Sequence, residues 1–98
     1  MKFSISEKAN DDIEKIWLYT FENWSVEQAD RYYNLIMDEI EYLAANFESG
    51  KSVDPIKKGY RVSRVKSHLI FYRKSKGNLV EIVRVLHQSM DIENRIEE

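Results

Sequence analysis

The stretch Tyr60-Arg-Val-Ser-Arg-Val-Lys-Ser-His-Leu-Ile-Phe-Tyr-Arg-Lys-Ser-Lys-Gly-Asn-Leu-Val-Glu-Ile-Val-Arg-Val-Leu-His-Gln-Ser-Met-Asp91 decides the fold. It holds three runs rich in Val, Ile, Phe and Tyr, parted by turn-like breaks at Lys66-Ser67 and Lys74 to Asn78. Period-2 apolar patterning with β-branched and aromatic residues, bounded by polar or Gly-containing breaks, predicts consecutive antiparallel strands. Arg61, Arg64, Lys66, His68, Arg73, Arg84 and His87 thread through all three runs, so this sheet carries the chain's positive charge.

Upstream of it, Phe3-Ser4-Ile5 alternates briefly and predicts an edge or flanking strand. Ser6 then stands where an N-cap belongs. Ala9, Ile13, Ile16, Trp17, Thr20 and Trp24 form one helical stripe over Glu7 to about Asn23, with Asp11, Asp12, Glu14 and Lys15 largely off it. Ser25-Val-Glu-Gln28 has the capping-box form and opens a second helix running to about Phe47. Its stripe is Ala29, Tyr32, Tyr33, Ile36, Ile40, Leu43, Ala44 and Phe47. So short a connection forces an antiparallel hairpin, with Trp24 expected as a structural plug at the corner.

Glu48 to Gly59 has no sustained period and carries Gly50, Asp54, Pro55 and Gly59, which predicts a loop. Downstream, Asp91 is placed to cap a short terminal helix through Ile96. Six or seven residues do not hold a helix alone, so this tail must dock or fray, and it is expected to matter little to the core. The order is strand–helix–helix–strand–strand–strand. It predicts one α+β domain over residues 1–98: a two-layer sandwich with a helical hairpin on a mainly antiparallel sheet and a short C-terminal helix or tail.

Charge is distributed unevenly. Residues 1–50 balance to −7, residues 51–76 to +8 and residues 77–98 to −3. A positive segment of this kind suits a polyanion or an acidic partner, unless it pairs with the acidic helices of its own fold. With no cysteine, disulfides and thiolate metal sites are excluded. No apolar run approaches the roughly 20 residues that span a bilayer, and the N-terminus lacks a secretory apolar region, so the cytoplasm is the expected location and no membrane partner is expected.

The two histidines, His68 and His87, lie in no zinc-binding spacing, and the three glycines form no phosphate-cradling loop. Neither metal nor cofactor is expected, and no serine sits in a nucleophile elbow. Metal-free RNA cleavage needs a base, an acid and cations around the phosphorane. Arg61, Arg64, Arg73, Arg84, His68, His87 and several tyrosines on one small sheet can supply such a set. Equally, Arg61 and Arg73 can pair with helix carboxylates, Tyr60 and Tyr72 can bury their rings, and His87 can be structural.

The last strands are more specific. Gly59-Tyr60-Arg61, His68-x-Ile70-Phe71-Tyr72-Arg73 and Arg84-Val85-Leu86-His87-Gln88-x-Met90-Asp91 resemble the ParE toxins of the RelE/ParE superfamily. Ala9-x-x-Asp12-Ile13-x-x-Ile16-Trp17-x-Tyr19 and Trp24-Ser25-x-Glu27-Gln28-Ala29-x-x-Tyr32 extend the resemblance through the front half. It implies a toxin of a type II toxin–antitoxin (plasmid stabilisation or addiction) system. Such a toxin is neutralised by a ParD-like antitoxin, which alone contacts operator DNA, and poisons DNA gyrase when free. It implies no enzyme activity of its own in that branch.

RelE-type relatives instead cut mRNA on the ribosome, for which Arg61, Arg84 and His87 are the candidate catalytic residues. No tyrosine follows Tyr72, and the loop lysines reduce to Lys57 and Lys58, so the Leu86-His87-x-x-Met90-Asp91 ending favours the ParE branch. A silenced toxin fold acting as antitoxin partner and co-repressor is the third possibility. On the ParE reading, Arg61, Arg73, Arg84, His87, Met90 and Asp91 face the target. Trp17, Phe21, Tyr33, Arg64 and Tyr72 face the antitoxin, whose acidic residues would make the complex salt-sensitive.

Overall fold

The computed structural model describes residues 2–97. The elements are β1 (Phe3–Ile5), α1 (Glu7–Asn23), α2 (Val26–Ala45), β2 (Lys51–Ser52), β3 (Arg61–Val65), β4 (His68–Lys74), β5 (Val80–His87) and α3 (Ile92–Glu97). Among these residues one five-stranded sheet runs in the order β1-β5-β4-β3-β2. β1 pairs parallel with β5, and the other neighbours pair antiparallel. This is the α+β sandwich that the patterning predicts.

Both helix starts follow from their caps. Ser6 Oγ accepts from the Ala9 N–H at 3.0 Å, and Ser25 Oγ from the Gln28 N–H at 3.1 Å. α1 and α2 bury Ala9, Ile13, Ile36, Ile40 and Leu43 against Ile70, Tyr72, Val80, Ile82 and Val85 of the sheet. The opposite face is not bare. Phe71 and Leu86 are covered there by Ile92 and Ile96 of α3, with Val53, Tyr60, Val62 and Leu69 around them.

A β-bulge sorts these two faces. Phe71 pairs with Arg84 while Tyr72 pairs with Ile82, leaving Val83 as the extra residue. Strict alternation from Val80 and Ile82 would drive Arg84 into the hairpin-side core. The bulge shifts the phase, so that Val85 enters that core and Arg84 and Leu86 turn to the other face.

β1 covers only Val80 to Ile82, and α1 covers the edge beyond it. The Ser6 N–H donates to Ile82 O at 2.9 Å, Ser6 Oγ donates to Val83 O at 2.8 Å, and the Val85 N–H donates to Asp12 Oδ2 at 3.0 Å. An edge that would otherwise offer unpaired backbone is thereby closed by one backbone N–H and two side chains.

Four details depart from the sequence reading. The 48–59 loop contains β2, a two-residue edge strand registered on Val62 and Arg61. α2 stops at Ala45, because the Asn46 N–H folds back onto Tyr42 O and Leu43 O and Phe47 begins a 3-10 turn. Trp24 is no plug: as the C-cap of α1, at φ −135° and ψ −91°, it leaves the helical phase and is 71% exposed. Finally, the tail does matter to the core, since Ile96 is only 5% exposed against Phe71 and Leu86.

Candidate interaction surface

Two concavities flank the hairpin. The larger, about 830 Å³, opens between α1, α2, the β3–β4 turn and the end of β5. Ile16, Tyr19, Trp24, Leu35 and Met90 give it apolar walls. Lys15, Arg31 and Lys66 stand at its margin, and among the described residues none of the three is drawn into an ion pair.

At its sheet end His68 and His87 meet as a cross-strand pair, ring centroids 5.2 Å apart and edge-on at 89°. The Tyr32 hydroxyl lies 3.0 Å from Val65 O and 2.6 Å from His68 Nδ1. A carbonyl can only accept, so Tyr32 donates to Val65, and His68 must donate from Nδ1 to satisfy both contacts. That assignment leaves His68 Nε2 as a bare acceptor. Burial, and secondarily the charge of His87, hold His68 down to about 4 from 6.5, which keeps it neutral at physiological pH. Burial likewise raises the Tyr32 phenol above its usual value of 10.0. In His87, Nδ1 accepts from the Ser89 N–H at 3.1 Å with Ser89 Oγ at 2.7 Å, which leaves Nε2 as the ring nitrogen that carries a proton.

The smaller concavity, about 540 Å³, lies on the outer face of the hairpin between Trp17, Leu18, Asp30 and Tyr33. Trp17 stacks on Phe21 with centroids 5.4 Å apart, and its Nε1–H donates to Asp30 Oδ1 at 2.9 Å. That bond locks a large aromatic plane in place beside the exposed Leu18, Phe21 and Tyr33.

The predicted site residues divide sharply. Trp17, Phe21 and Tyr33 gather on this outer face. Arg64 sits on the opposite sheet face, its Nε donating to Lys66 O at 2.7 Å. Tyr72 is wholly buried, so the antitoxin contact expected of it must be corrected. Its hydroxyl donates to Phe47 O at 2.7 Å and accepts from the Gly50 N–H at 2.9 Å, which fixes the loop after α2.

The sheet cations are held inside the chain. Arg61 donates to Glu48 O and Gly50 O and lies 5.7 Å above the Phe47 ring. Arg73 pairs with Glu81 at 2.7 Å. Arg84, 8% exposed, forks onto Asp12 and donates from Nη1 to Arg95 O at 2.9 Å. Its expected place on an open target-facing surface is therefore corrected, because this burial needs a charged partner within the fold. Neither Arg61 nor Arg73 makes the pairing with a helix carboxylate offered for it, turning instead to loop carbonyls and a neighbouring strand, whereas Arg84 does reach a helix carboxylate.

Arg61, Arg84 and His87 do not converge. Arg61 and His87 lie at opposite ends of one sheet face, and Arg84 leaves β5 on the other. His87, Met90 and Asp91 remain accessible at the end of β5, where Asp91 accepts from Asn94 Nδ2 at 2.6 Å. The Tyr32–His68 pair went unread in the sequence. The one signal was a tyrosine on a buried stripe, whose hydroxyl required a partner.

Residues 3–92 match the sequence profile of the family described as "ParE toxin of type II toxin-antitoxin system, parDE". Toxin ParE1 of Mycobacterium tuberculosis is 36% identical over 95 residues, covering 97% of each chain. Toxin ParE1 of Caulobacter vibrioides is 39% identical over 89 residues, covering 91% of each. Among solved structures, one titled "Chromosomal ParDE TA system from P. aeruginosa" superposes with a TM-score of 0.74 at 23% identity, over 89% of this chain and 95% of that one. That last likeness concerns the fold.

Proposed function

The chain belongs to the ParE toxins of type II toxin–antitoxin systems, and on that premise we propose that it acts by binding proteins rather than by cutting RNA. A ParD-like antitoxin covers the hairpin, and the uncovered chain poisons DNA gyrase in the cytoplasm. Such a pair serves plasmid stabilisation or its chromosomal counterpart, and operator DNA is reached only through the antitoxin.

One observation carries the reading. The hairpin leaves Leu18, Phe21 and Tyr33 exposed around its outer groove and Tyr19, Trp24 and Leu35 exposed around the larger one, in a chain of 98 residues. Apolar surface of that extent on a small domain marks a partner site, and an amphipathic segment laid into a groove is the mode it suits. The separation of Arg61, Arg84 and His87 supports gyrase over the ribosome as target, because phosphodiester cleavage needs its acid, base and cations around one phosphorus.

Induced expression without antitoxin tests the target. A DNA-damage response with filamentation is expected. Immediate translation arrest, stopped by His87→Ala, would replace this reading with the ribonuclease one, and harmless expression would leave a silenced fold. For the antitoxin, Trp17→Ala and Tyr33→Ala should each weaken the complex by about 30-fold or more, as central aromatic anchors do. Unchanged affinity would move the antitoxin off this face.

A further inference from the structure

We infer that the His68–His87 end of the larger groove is a proton-coupled socket for a carboxylate of the antitoxin. This rests on the antitoxin reading above. It specifies the chemistry of one contact within it and adds a dependence on pH.

The charge around the socket comes from every side. α1 contributes Lys15 and Asp12, α2 contributes Arg31 and the Tyr32 phenol, the β3–β4 turn contributes Lys66, and β5 contributes His87. Asp12 is the acid among them, and its carboxylate already receives Arg84 and the Val85 N–H. The groove therefore presents cations with no anion of its own left to balance them. An acidic side chain flanked by apolar neighbours fits both the charge and the walls.

The histidines set the terms of entry. His87 offers an Nε2–H to an anion at once. His68 does not, because its Nδ1 proton is committed to Tyr32 and its Nε2 presents a lone pair that repels a carboxylate. Turning Tyr32 to relieve this would give up its bond to Val65 O in the β3–β4 hairpin. The way to accept the anion is to add a proton at Nε2, giving an imidazolium that donates to Tyr32 on one side and to the carboxylate on the other. The balance is one carboxylate, one neutral imidazole and one proton from solvent, giving one ion pair. Desolvation that keeps His68 neutral in the free chain is then offset by the charge of the incoming group.

The test uses the whole chain, isotope-labelled on histidine, alone and in complex with separately purified, unlabelled antitoxin at pH 7. The two histidines make the imidazole spectrum simple. In the free chain His68 is expected as the neutral Nδ1–H form, and in the complex as the imidazolium. Calorimetry in two buffers of different ionisation enthalpy should count about one proton taken up, with affinity rising about tenfold per pH unit lowered. His68→Gln should flatten that slope while still binding. A neutral His68 in the complex with no proton uptake overturns the socket and leaves the antitoxin reading standing. Failure of the two proteins to associate at all overturns both.

Discussion

Asp12 and Arg84 meet around the edge of β5 that β1 leaves open, with Nε to Oδ2 at 2.8 Å and Nη2 to Oδ1 at 3.0 Å. The fork joins α1 to the strand, and the third guanidinium bond reaches the carbonyl of Arg95 in α3. One side chain thus ties together the two layers that the sheet separates.

Because both partners are about nine-tenths buried, removing either leaves an uncompensated charge. Arg84→Ala or Asp12→Ala should each lower unfolding stability by about 3–5 kcal/mol. The double variant should cost clearly less than their sum, because it removes the stranded charge. Urea denaturation of the three variants measures this coupling directly.

Gly50 lies against the Tyr72 ring. A Cβ built there would fall 2.1 Å from Tyr72 Oη and 2.7 Å from Val62 O, so backbone must move to admit it. Gly50→Ala should cost about 1–3 kcal/mol. Tyr72→Phe keeps the ring but strands Phe47 O and the Gly50 N–H, and should cost a similar amount, about 1–3 kcal/mol. Chemical denaturation reads both, and an unperturbed Gly50→Ala would mean that the loop repacks freely.

The free chain should lose stability on mild acidification. Folding holds His68 at about 4 against 6.5 unfolded, so between those values the unfolded state binds more protons. The contribution is complete above 6.5 and is lost as pH falls towards 4. The denaturation midpoint of wild type should fall over this window more steeply than that of His68→Gln, and the difference between the two curves isolates the histidine.

Ile96 should act as a core residue although it is third from the end of the sequence. Ile96→Ala should cost about 2–5 kcal/mol, towards the lower end because a short helix can relax around the gap. Truncation after Asp91 would therefore disturb folding as well as any target contact. Surface changes such as Met90→Ala separate the two when toxicity and melting temperature are measured together.

The sandwich was legible because β3, β4 and β5 alternate and α1 and α2 keep a helical period, both consequences of where side chains point. β2 was not legible, since Lys51 and Ser52 are exposed and carry no pattern; only their register on β3 makes them a strand. The outer-face aromatics were less legible, since Trp17 and Tyr33 fall on the periodic stripes of their helices, yet Tyr33 is exposed there beside Phe21. The fate of the arginines was not legible at all. Arg84 finds Asp12 at a sequence separation of 72, and one bulged residue decides which face it leaves from. Charge composition records that cations exist, but the fold determines which anions reach them.

The pairing of β1 with β5 also constrains when the molecule can exist. Ser6 and Val83, bonded in the finished fold, are 77 residues apart, so the first strand waits on the ribosome until that stretch has been made. At ~5–20 residues per second, that wait is roughly 4–15 s. Until β5 emerges, neither the hairpin's floor nor the groove beside it is complete. A prematurely terminated chain can expose the helices but cannot assemble the surface a partner would recognise. Whatever this surface does therefore begins only once β5 has been made and paired with β1.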